Sequence, residues 1–278
     1  MKFLSKLENN ENLIRGNLYN EYPGFITLHK KPFIGYIDDA ISHSDIDHII
    51  SCAAPAHELY NLKEECSFYP AAMTQPLNAT VDRLTIYTKT NLNALSPWKT
   101  IRNVDPAPYG DKIHDKIRNT ISELTKQPIE NMEPTYCGMY PVGAEFQEHW
   151  DALAYDDPTL SLALIAPGGQ RLQTVILYCN DNFEGGETYF RNLDITVKPK
   201  KGRVLLFHNV THTPMQPEPK SLHCGKPVTK GTKYTCVFTH RLGGFDYDLY
   251  KKILHMSYDD KQKLYDKCAK RNQVLTFI

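Results

Sequence analysis

The chain has 278 residues, of which 41% are hydrophobic and 23% are charged, a composition that excludes a disordered or collagen-like protein. Its 32 basic residues balance its 32 acidic ones, so the net charge indicates neither a nucleic-acid partner nor an anionic membrane. No apolar run approaches the roughly 18 residues that a membrane span requires, and the first residues lack a secretory signal pattern. We therefore expect no nucleic-acid or membrane partner, and the odd, dispersed cysteines favour a cytoplasmic setting.

The N-terminal part of the sequence predicts short strands and two helices. Strands are predicted at 25–28, 33–37 and 83–87 from their apolar and β-branched residues. A capping-box pattern, Ser44-Asp-Ile-Asp47, predicts the start of a helix whose Ile46, Ile49 and Ile50 share one face. A second, amphipathic helix is predicted from Tyr109 to about Gln127.

The pattern changes after Pro128, where short strands alternate with turn residues. Strands are predicted at 135–140, 145–151, 172–179, 187–190, 203–208 and 232–240, a spacing typical of a sandwich or jelly roll. Helical spacing returns at Phe245, Leu249 and Ile253, and Ser257 is predicted to cap a last helix to about Arg271. We expect an α+β chain with a mainly β core, divided into an N-terminal α/β support region (1–130), the core (131–242) and a C-terminal helical extension (243–278).

A metal site is predicted within this β-rich core. In a strand, His149 and Asp151 point to the same face, so an imidazole and a carboxylate can reach one ion together. With His223, they make the two-histidine, one-carboxylate set that is typical of non-haem Fe(II) oxygenases. The similar pattern at His43-Ser-Asp45 is assigned instead to the start of a helix. His208 and His212 are predicted to lie in a solvated loop beyond a strand.

A buried cation is predicted next to this site. Lys233 follows His223 by ten residues, and a buried ammonium near the metal requires an anionic partner. The distal carboxylate of 2-oxoglutarate would supply that charge through a charge-assisted hydrogen bond.

The stretch from Glu133 to Arg241 resembles the prolyl 4-hydroxylase branch of the Fe(II)/2-oxoglutarate-dependent dioxygenases. Individually weak motifs occur in the family's order, and together they are specific. They are Tyr140-Pro-Val-Gly143, His149-Trp-Asp151, Gly168-Gly-Gln-Arg171, Thr174-Val-Ile-Leu-Tyr178, Gly185-Gly-Glu-Thr-Tyr-Phe190, Lys198-Pro-Lys-Lys-Gly202, Val204-Leu-Leu-Phe207, Ser221-Leu-His223, Pro227-Val228 and Gly231-Thr-Lys233.

The resemblance implies a double-stranded β-helix with iron on His149, Asp151 and His223. It places 2-oxoglutarate against Lys233, Tyr140 and Thr188. Near a peptide substrate it places Arg171, Glu133 and, by a looser alignment, Arg83. Two positions of the substrate cleft depart from the family's pattern, because Phe146 stands where a tyrosine is usual and Thr239 where a tryptophan is usual.

The function expected from these features is a dioxygenase that uses Fe(II), 2-oxoglutarate and O₂, with ascorbate as the reductant. It would hydroxylate an unactivated C–H bond of a prolyl residue in a peptide or protein. Phe146 and Thr239 keep a second substrate class open, namely a different residue or a free amino acid. A zinc hydrolase on the same ligands is less favoured because no general base is apparent. A non-catalytic binding module is also less favoured, since the ligand set is complete, and the oligomeric state is left open.

Overall fold

The computed structural model describes residues 16–62, 67–70, 84–87, 102–104, 110–152, 167–211, 217–254, 256, 257, 259, 260 and 263. Within these residues, no helix is both long and apolar enough to cross a membrane. Arg83 and His212, both named by the sequence analysis, lie outside the described residues.

The N-terminal elements follow the predicted order. Strands β1 (Ile26–Lys30) and β2 (Phe33–Ile37) precede helix α1 (His43–Leu62), and Ile46 and Ile49 are buried on its inner face. The predicted cap is wrong by two residues, because α1 already begins at His43. The hydroxyl of Ser42, rather than that of Ser44, accepts the backbone N–H of Asp45 at 3.2 Å.

Three short strands and a second helix come next. They are β3 (Ser67–Pro70), β4 (Leu84–Tyr87), β5 (Arg102–Val104) and α2 (Lys112–Thr125). The carboxylate of Asp111 caps α2 by accepting the N–H groups of Ile113 and His114, and Lys126 ends the helix in a left-handed conformation. The predicted amphipathic helix is therefore confirmed, with both ends inside the expected range.

The β-rich part contains ten strands among the described residues and is followed by a short helix. The strands are β6 (Tyr136–Tyr140), β7 (Phe146–His149), β8 (Arg171–Tyr178), β9 (Glu184–Gly185), β10 (Thr188–Phe190), β11 (Ile195–Val197), β12 (Val204–His208), β13 (His223–Gly225), β14 (Val228–Lys230) and β15 (Lys233–Arg241), and the helix is α3 (Tyr247–Leu254). Beyond α3, the hydroxyl of Ser257 accepts the N–H of Asp260, as the predicted cap requires.

Two antiparallel sheets build the core. The larger sheet has the order β1-β2-β12-β8-β15-β6-β5, and the smaller has the order β11-β10-β13-β7. Buried side chains of both sheets, including Tyr178 and Phe207 from the larger and Phe190 from the smaller, pack into one cluster. This pairing of opposed sheets confirms the predicted jelly-roll core, and β2 joins the N-terminal region to it by pairing with β12. The boundaries at 130 and 242 stay a prediction.

The larger sheet separates two apolar layers. On its outer face, Val175, Leu177 and Leu206 pack with Ile49 of α1 and Ile117 of α2. Because side chains alternate along each strand, the intervening residues face the smaller sheet. The interior between the sheets is therefore the place where strand residues can form a site shielded from water.

The prediction for His208 is wrong. Its side chain is buried rather than solvated, because His208 ends β12 and packs against the rings of Tyr22 and Phe33. One ring nitrogen lies 2.9 Å from the hydroxyl of Tyr22, and the other accepts the N–H of Phe33 at 3.4 Å. His208 is thus a structural residue that ties the N-terminal segment to the larger sheet.

Candidate metal centre

Three candidate metal ligands converge on the smaller sheet. His149 ends β7 and His223 begins β13, and the two residues are register partners. Oδ1 of Asp151 lies 3.3 Å from Nε2 of His149. One ligand atom from each residue lies within 4.8 Å of the other two. The predicted convergence is confirmed, and their role as metal ligands stays a prediction.

Backbone carbonyls hold both imidazole rings. Nδ1 of His149 lies 2.7 Å from the carbonyl oxygen of Gln147, and Nδ1 of His223 lies 2.9 Å from that of Ser221. Because a carbonyl oxygen can only accept a hydrogen bond, Nδ1 carries the proton and Nε2 presents its lone pair. Proteins commonly fix metal-binding histidines by such a bond from the second nitrogen.

The electrostatics of these side chains suit a divalent cation. Burial and the neighbouring His149 lower the pKa of His223 to about 4, so its ring is neutral at neutral pH. Burial alone would raise the pKa of Asp151, but the neighbouring imidazoles of His149 and His223 hold it well below its ordinary value. Two imidazoles and one carboxylate are the donor set of a non-haem Fe(II) site with open positions. The residues present therefore fit Fe(II).

Aromatic rings pack against both histidines. The ring of Phe146 lies 3.9 Å from that of His149, while Phe190 and Phe207 lie 5.6 and 4.6 Å from the ring of His223. Such an apolar layer restricts water and fixes the orientation of the imidazoles. Phe146, predicted to bind substrate, thus stands directly beside a candidate ligand.

Lys233 is a buried cation on the interior face of the larger sheet. Its side chain is 3% exposed, and its register partner is Tyr140. The ammonium donates to the carbonyl oxygen of Gly186 at 2.7 Å and lies 4.7 Å above the Tyr140 ring. Burial lowers the pKa of Lys233 to about 8, although Glu187 raises it. Among the described residues no carboxylate forms an ion pair with this ammonium, so an anionic ligand would neutralise it.

Tyr178 connects Thr188 to the surroundings of the same ammonium. Thr188 is buried on β10, and its Oγ1 lies 2.6 Å from the hydroxyl of Tyr178. The Tyr178 ring also lies 5.7 Å from Nζ of Lys233. Gly186 leaves room for this arrangement, because a Cβ there would come within 3.0 Å of Cδ of Lys233. The structure thus brings Lys233 and Tyr140 together and places Thr188 next to Tyr178, a residue that the sequence analysis did not select.

Glu133 links two arginines beside Asp151. Its carboxylate accepts Nε of Arg171 at 2.6 Å, Nη2 of Arg171 at 2.8 Å and Nε of Arg241. The remaining nitrogen of Arg171 reaches the backbone oxygen of Asp151 at 3.5 Å. Burial would raise the pKa of Glu133, but the two guanidinium groups lower it. Arg171 is therefore oriented toward the candidate ligands, as its predicted substrate role requires.

Thr239 lies on the interior face of β15. It is the register partner of Thr174 on β8, and its backbone oxygen accepts the N–H of Glu133 at 2.8 Å. The structure thus gathers four of the five predicted substrate residues around the triad or the Glu133 cluster, and the fifth, Arg83, lies outside the described residues. Their roles in binding substrate stay predictions.

Known proteins are similar in sequence to the part of the chain that carries this site. A family model described as the 2OG-Fe(II) oxygenase superfamily matches residues 136–240. A protein of Acanthamoeba polyphaga mimivirus, named as a prolyl 4-hydroxylase, is 37% identical over 139 residues, which cover 49% of this chain and 57% of that protein. An Arabidopsis thaliana protein named "Probable prolyl 4-hydroxylase 10" is 30% identical over 211 residues, which cover 67% of this chain and 68% of the relative. The chain belongs to the prolyl 4-hydroxylase-like family of 2OG-Fe(II) oxygenases.

A solved structure supports the fold of this prolyl 4-hydroxylase-like chain. The viral collagen prolyl hydroxylase of Paramecium Bursaria Chlorella virus-1, in its 2OG complex, superposes with a TM-score of 0.50 at 22% identity and covers 75% of this chain and 95% of its own. At this identity the likeness shows the double-stranded β-helix fold. The chain spans about half the length of the curated relatives that it first matches, for example 57% of the mimivirus protein.

Two residues of this prolyl 4-hydroxylase-like site were missed by the sequence analysis. Tyr178 shares its strand face with Thr174, so the alternation of β8 contained a signal for its position. Arg241 is fully buried and bonds both Glu133 and the backbone oxygen of Gly169. No local pattern indicates this contact, because it depends on the pairing of Arg241 with Arg171 across β15 and β8.

Proposed function

We propose that this chain is an Fe(II)- and 2-oxoglutarate-dependent dioxygenase that hydroxylates a prolyl residue in a peptide or protein. The observation that carries the proposal is the combination of a convergent His149, Asp151 and His223 set with a buried Lys233 that lacks a carboxylate partner among the described residues. In a zinc hydrolase, Lys233 would have no role in binding or catalysis. An oxygenase that uses a dianionic cosubstrate would need it.

Each group has a defined task in this proposal. Nε2 of His149, Nε2 of His223 and the Asp151 carboxylate would hold Fe(II) and leave three positions open. Bound iron would supply O₂ activation, coupling the oxidative decarboxylation of 2-oxoglutarate to succinate and CO₂ with insertion of one oxygen atom into a C–H bond. The protein itself then has to orient two substrates and exclude water.

The cosubstrate would be oriented by the Lys233 pocket. The ammonium of Lys233 would bind the far carboxylate of 2-oxoglutarate, and Tyr140 and Thr188 would contact the same end. Because Lys233 already donates to Gly186 and is packed between two tyrosine rings, its position is set before the ligand arrives. Preorganisation of this kind lowers the entropic cost of binding.

The substrate would enter beside Phe146, Thr239 and Arg171. Glu133 holds the Arg171 guanidinium in one orientation, so that its outer edge can donate to a backbone carbonyl of a bound peptide. Family membership supports a prolyl residue as the target, and relatives carry prolyl 4-hydroxylase names. Ascorbate as the reductant and a cytoplasmic location belong to this proposal as well.

The proposal is tested by succinate formation from 2-oxoglutarate with Fe(II) and ascorbate, with and without a proline-rich peptide. We expect the peptide to stimulate succinate formation and to gain one oxygen atom at proline. Asp151→Ala should abolish both, and His43→Ala should leave both unchanged, since His43 belongs to an H-x-D pattern at an exposed helix start. Turnover that ignores the peptide would contradict the prolyl substrate, and unchanged turnover in Asp151→Ala would contradict the metal assignment.

A further inference from the structure

A second group of metal-binding side chains lies between the two long helices. His48 and Cys52 are four residues apart on α1, so both project from one face of that helix. Asp111, the cap of α2, faces them across the helix pair. Nε2 of His48 lies 2.8 Å from Oδ2 of Asp111 and 3.5 Å from Sγ of Cys52. One ligand atom from each of the three residues lies within 4.8 Å of the other two.

We infer that His48, Cys52 and Asp111 form a second metal site, which takes a zinc-like divalent transition metal and leaves its fourth position to water. A set of one nitrogen, one sulfur and one oxygen donor suits Zn²⁺ and excludes Ca²⁺ and Mg²⁺, which prefer oxygen donors alone. Around a tetrahedral ion with bonds of about 2.0–2.3 Å, donor atoms are roughly 3.3–3.6 Å apart. Sγ of Cys52 and Nε2 of His48 already have this separation. The distance between Nε2 of His48 and Oδ2 of Asp111 would have to increase by about half an ångström.

The charges of the three ligands balance such an ion. On binding, the Cys52 thiol would release its proton to solvent, and the resulting thiolate and the Asp111 carboxylate would neutralise the two positive charges of the ion. Oδ1 of Asp111 accepts the N–H groups of Ile113 and His114, which fixes the carboxylate while Oδ2 stays directed at His48. All three side chains are half-buried, so an ion from solution can reach them.

This site is separate from the candidate iron centre. Ile49 of α1 and Ile117 of α2 pack on the outer face of the larger sheet. His149 and His223 belong to the smaller sheet, Asp151 follows it two residues after β7, and His223 packs against the interior residue Phe207. The two sites share no residue, and sulfur is present only in the ligand set of the second. The inference therefore holds or fails independently of the proposed oxygenase activity.

The test is a titration of the chelator-treated 278-residue chain with Co²⁺, monitored by near-ultraviolet absorption. A thiolate-to-cobalt charge-transfer band requires a coordinated sulfur, so Co²⁺ on His149, Asp151 and His223 does not produce it. We expect the band to saturate with one bound Co²⁺ at this site and to be displaced by Zn²⁺. The readout does not depend on turnover, so an inactive enzyme can still pass this test.

Matched variants assign the band to these residues. Cys52→Ser should abolish the band. Cys224→Ser is the control, because Cys224 is also half-buried but belongs to neither ligand set, and this variant should retain the band. Asp111→Asn keeps an oxygen that caps α2 and removes the charged ligand, so it should weaken Co²⁺ binding at least tenfold with an unchanged melting temperature of the metal-free protein. Absence of the band in the natural chain, its persistence in Cys52→Ser, or its loss in Cys224→Ser would overturn the inference.

Discussion

His149 and His223 face each other on adjacent antiparallel strands, with ring centroids 4.3 Å apart and each Nδ1 bonded to a backbone carbonyl. The pairing of β7 with β13 thus sets the distance between the two imidazoles, and the carbonyls set their rotation. The same carbonyls leave the Nε2 lone pair of each ring available to a metal ion. The candidate centre is therefore a product of sheet register and needs no rearrangement of the backbone to form.

We predict that Lys233 is necessary for cosubstrate binding and that its buried charge lowers the stability of the protein without 2-oxoglutarate. Lys233→Met removes one partner of a buried charge pair, which costs about 2–5 kcal/mol of binding, so the KM for 2-oxoglutarate should rise at least about thirtyfold. Without ligand, the variant should be as stable as the natural chain or more stable, because an uncompensated buried charge is removed.

Lys230→Met is the matched control for this prediction. Lys230 lies on the preceding strand β14, is 75% exposed and forms a 3.0 Å ion pair with Glu184, which is 63% exposed. Its removal should change neither the KM for 2-oxoglutarate nor the melting temperature. Equal KM values for Lys233→Met and the natural chain would contradict the cosubstrate pocket.

Gly186 is predicted to be required for the position of Lys233. Gly186→Ala places a Cβ within 3.0 Å of Cδ of Lys233, at a residue whose φ is +68°. Gly110→Ala is a suitable control, since Gly110 has a φ of +75° but no atom within 4 Å of its Cβ position. Both variants should lose about 1–2 kcal/mol of stability, because an L-residue is strained in the left-handed conformation. Only Gly186→Ala should raise the KM for 2-oxoglutarate, and an equal KM in both variants would contradict the steric argument.

Glu133 is predicted to stabilise the fold through its two arginines. Glu133→Gln leaves the buried guanidinium of Arg241 and that of Arg171 without their shared carboxylate, so the free energy of unfolding should fall by about 3 kcal/mol. Denaturant unfolding measures this change. As a control, Glu184→Gln, which removes an exposed ion pair, should lower the free energy of unfolding by less than about 1 kcal/mol. An equally small effect of Glu133→Gln would refute the prediction.

His240 is predicted to make stability depend on pH. Burial and the positive Arg118 lower the pKa of His240 from 6.5 to about 3, although Glu133 raises it. Its ring is 0% exposed, and neither ring nitrogen has a hydrogen-bond partner among the described residues. The unfolded chain therefore takes up a proton before the folded chain does, so stability falls as the pH decreases from about 6.5 towards 3.

A pH series of unfolding experiments checks this sign. Between pH 6.5 and about 3, the natural chain should lose stability that His240→Phe keeps. The difference in unfolding free energy between the two proteins should therefore grow by up to about 1.4 kcal/mol for each pH unit of acidification. His43→Gln should follow the natural chain, since His43 is exposed at the start of α1. Parallel pH curves for His240→Phe and the natural chain would contradict the prediction.

Local sequence patterns predict the elements of this fold well, because most depend on near neighbours. The amphipathic spacing of α2 appears at the expected place. The strand before His149 does as well, but β7 ends at His149 and leaves Asp151 outside the predicted strand. The helix cap differs by two residues because Ser42 and Ser44 offer the same hydroxyl, and only the path of the chain selects one of them.

Contacts that depend on packing could not be predicted in the same way. His208 stands at the end of a predicted strand and is followed by polar residues, but Tyr22 supplies a hydroxyl from a distant segment and allows its burial. The approach of Asp111 to His48 likewise depends on how α1 packs against α2. The triad itself was predictable because its motifs are ordered along the sequence, whereas its geometry follows from the pairing of β7 with β13.

The central claim is that this chain couples 2-oxoglutarate decarboxylation to prolyl hydroxylation. The most direct test is turnover under isotope-labelled O₂, followed by mass spectrometry of the peptide and of succinate. The account predicts one labelled oxygen atom in the hydroxyproline of the peptide and one in succinate, formed in equal amounts. A hydroxyl group that carries unlabelled oxygen from water, or labelled succinate without any modified peptide, would contradict it.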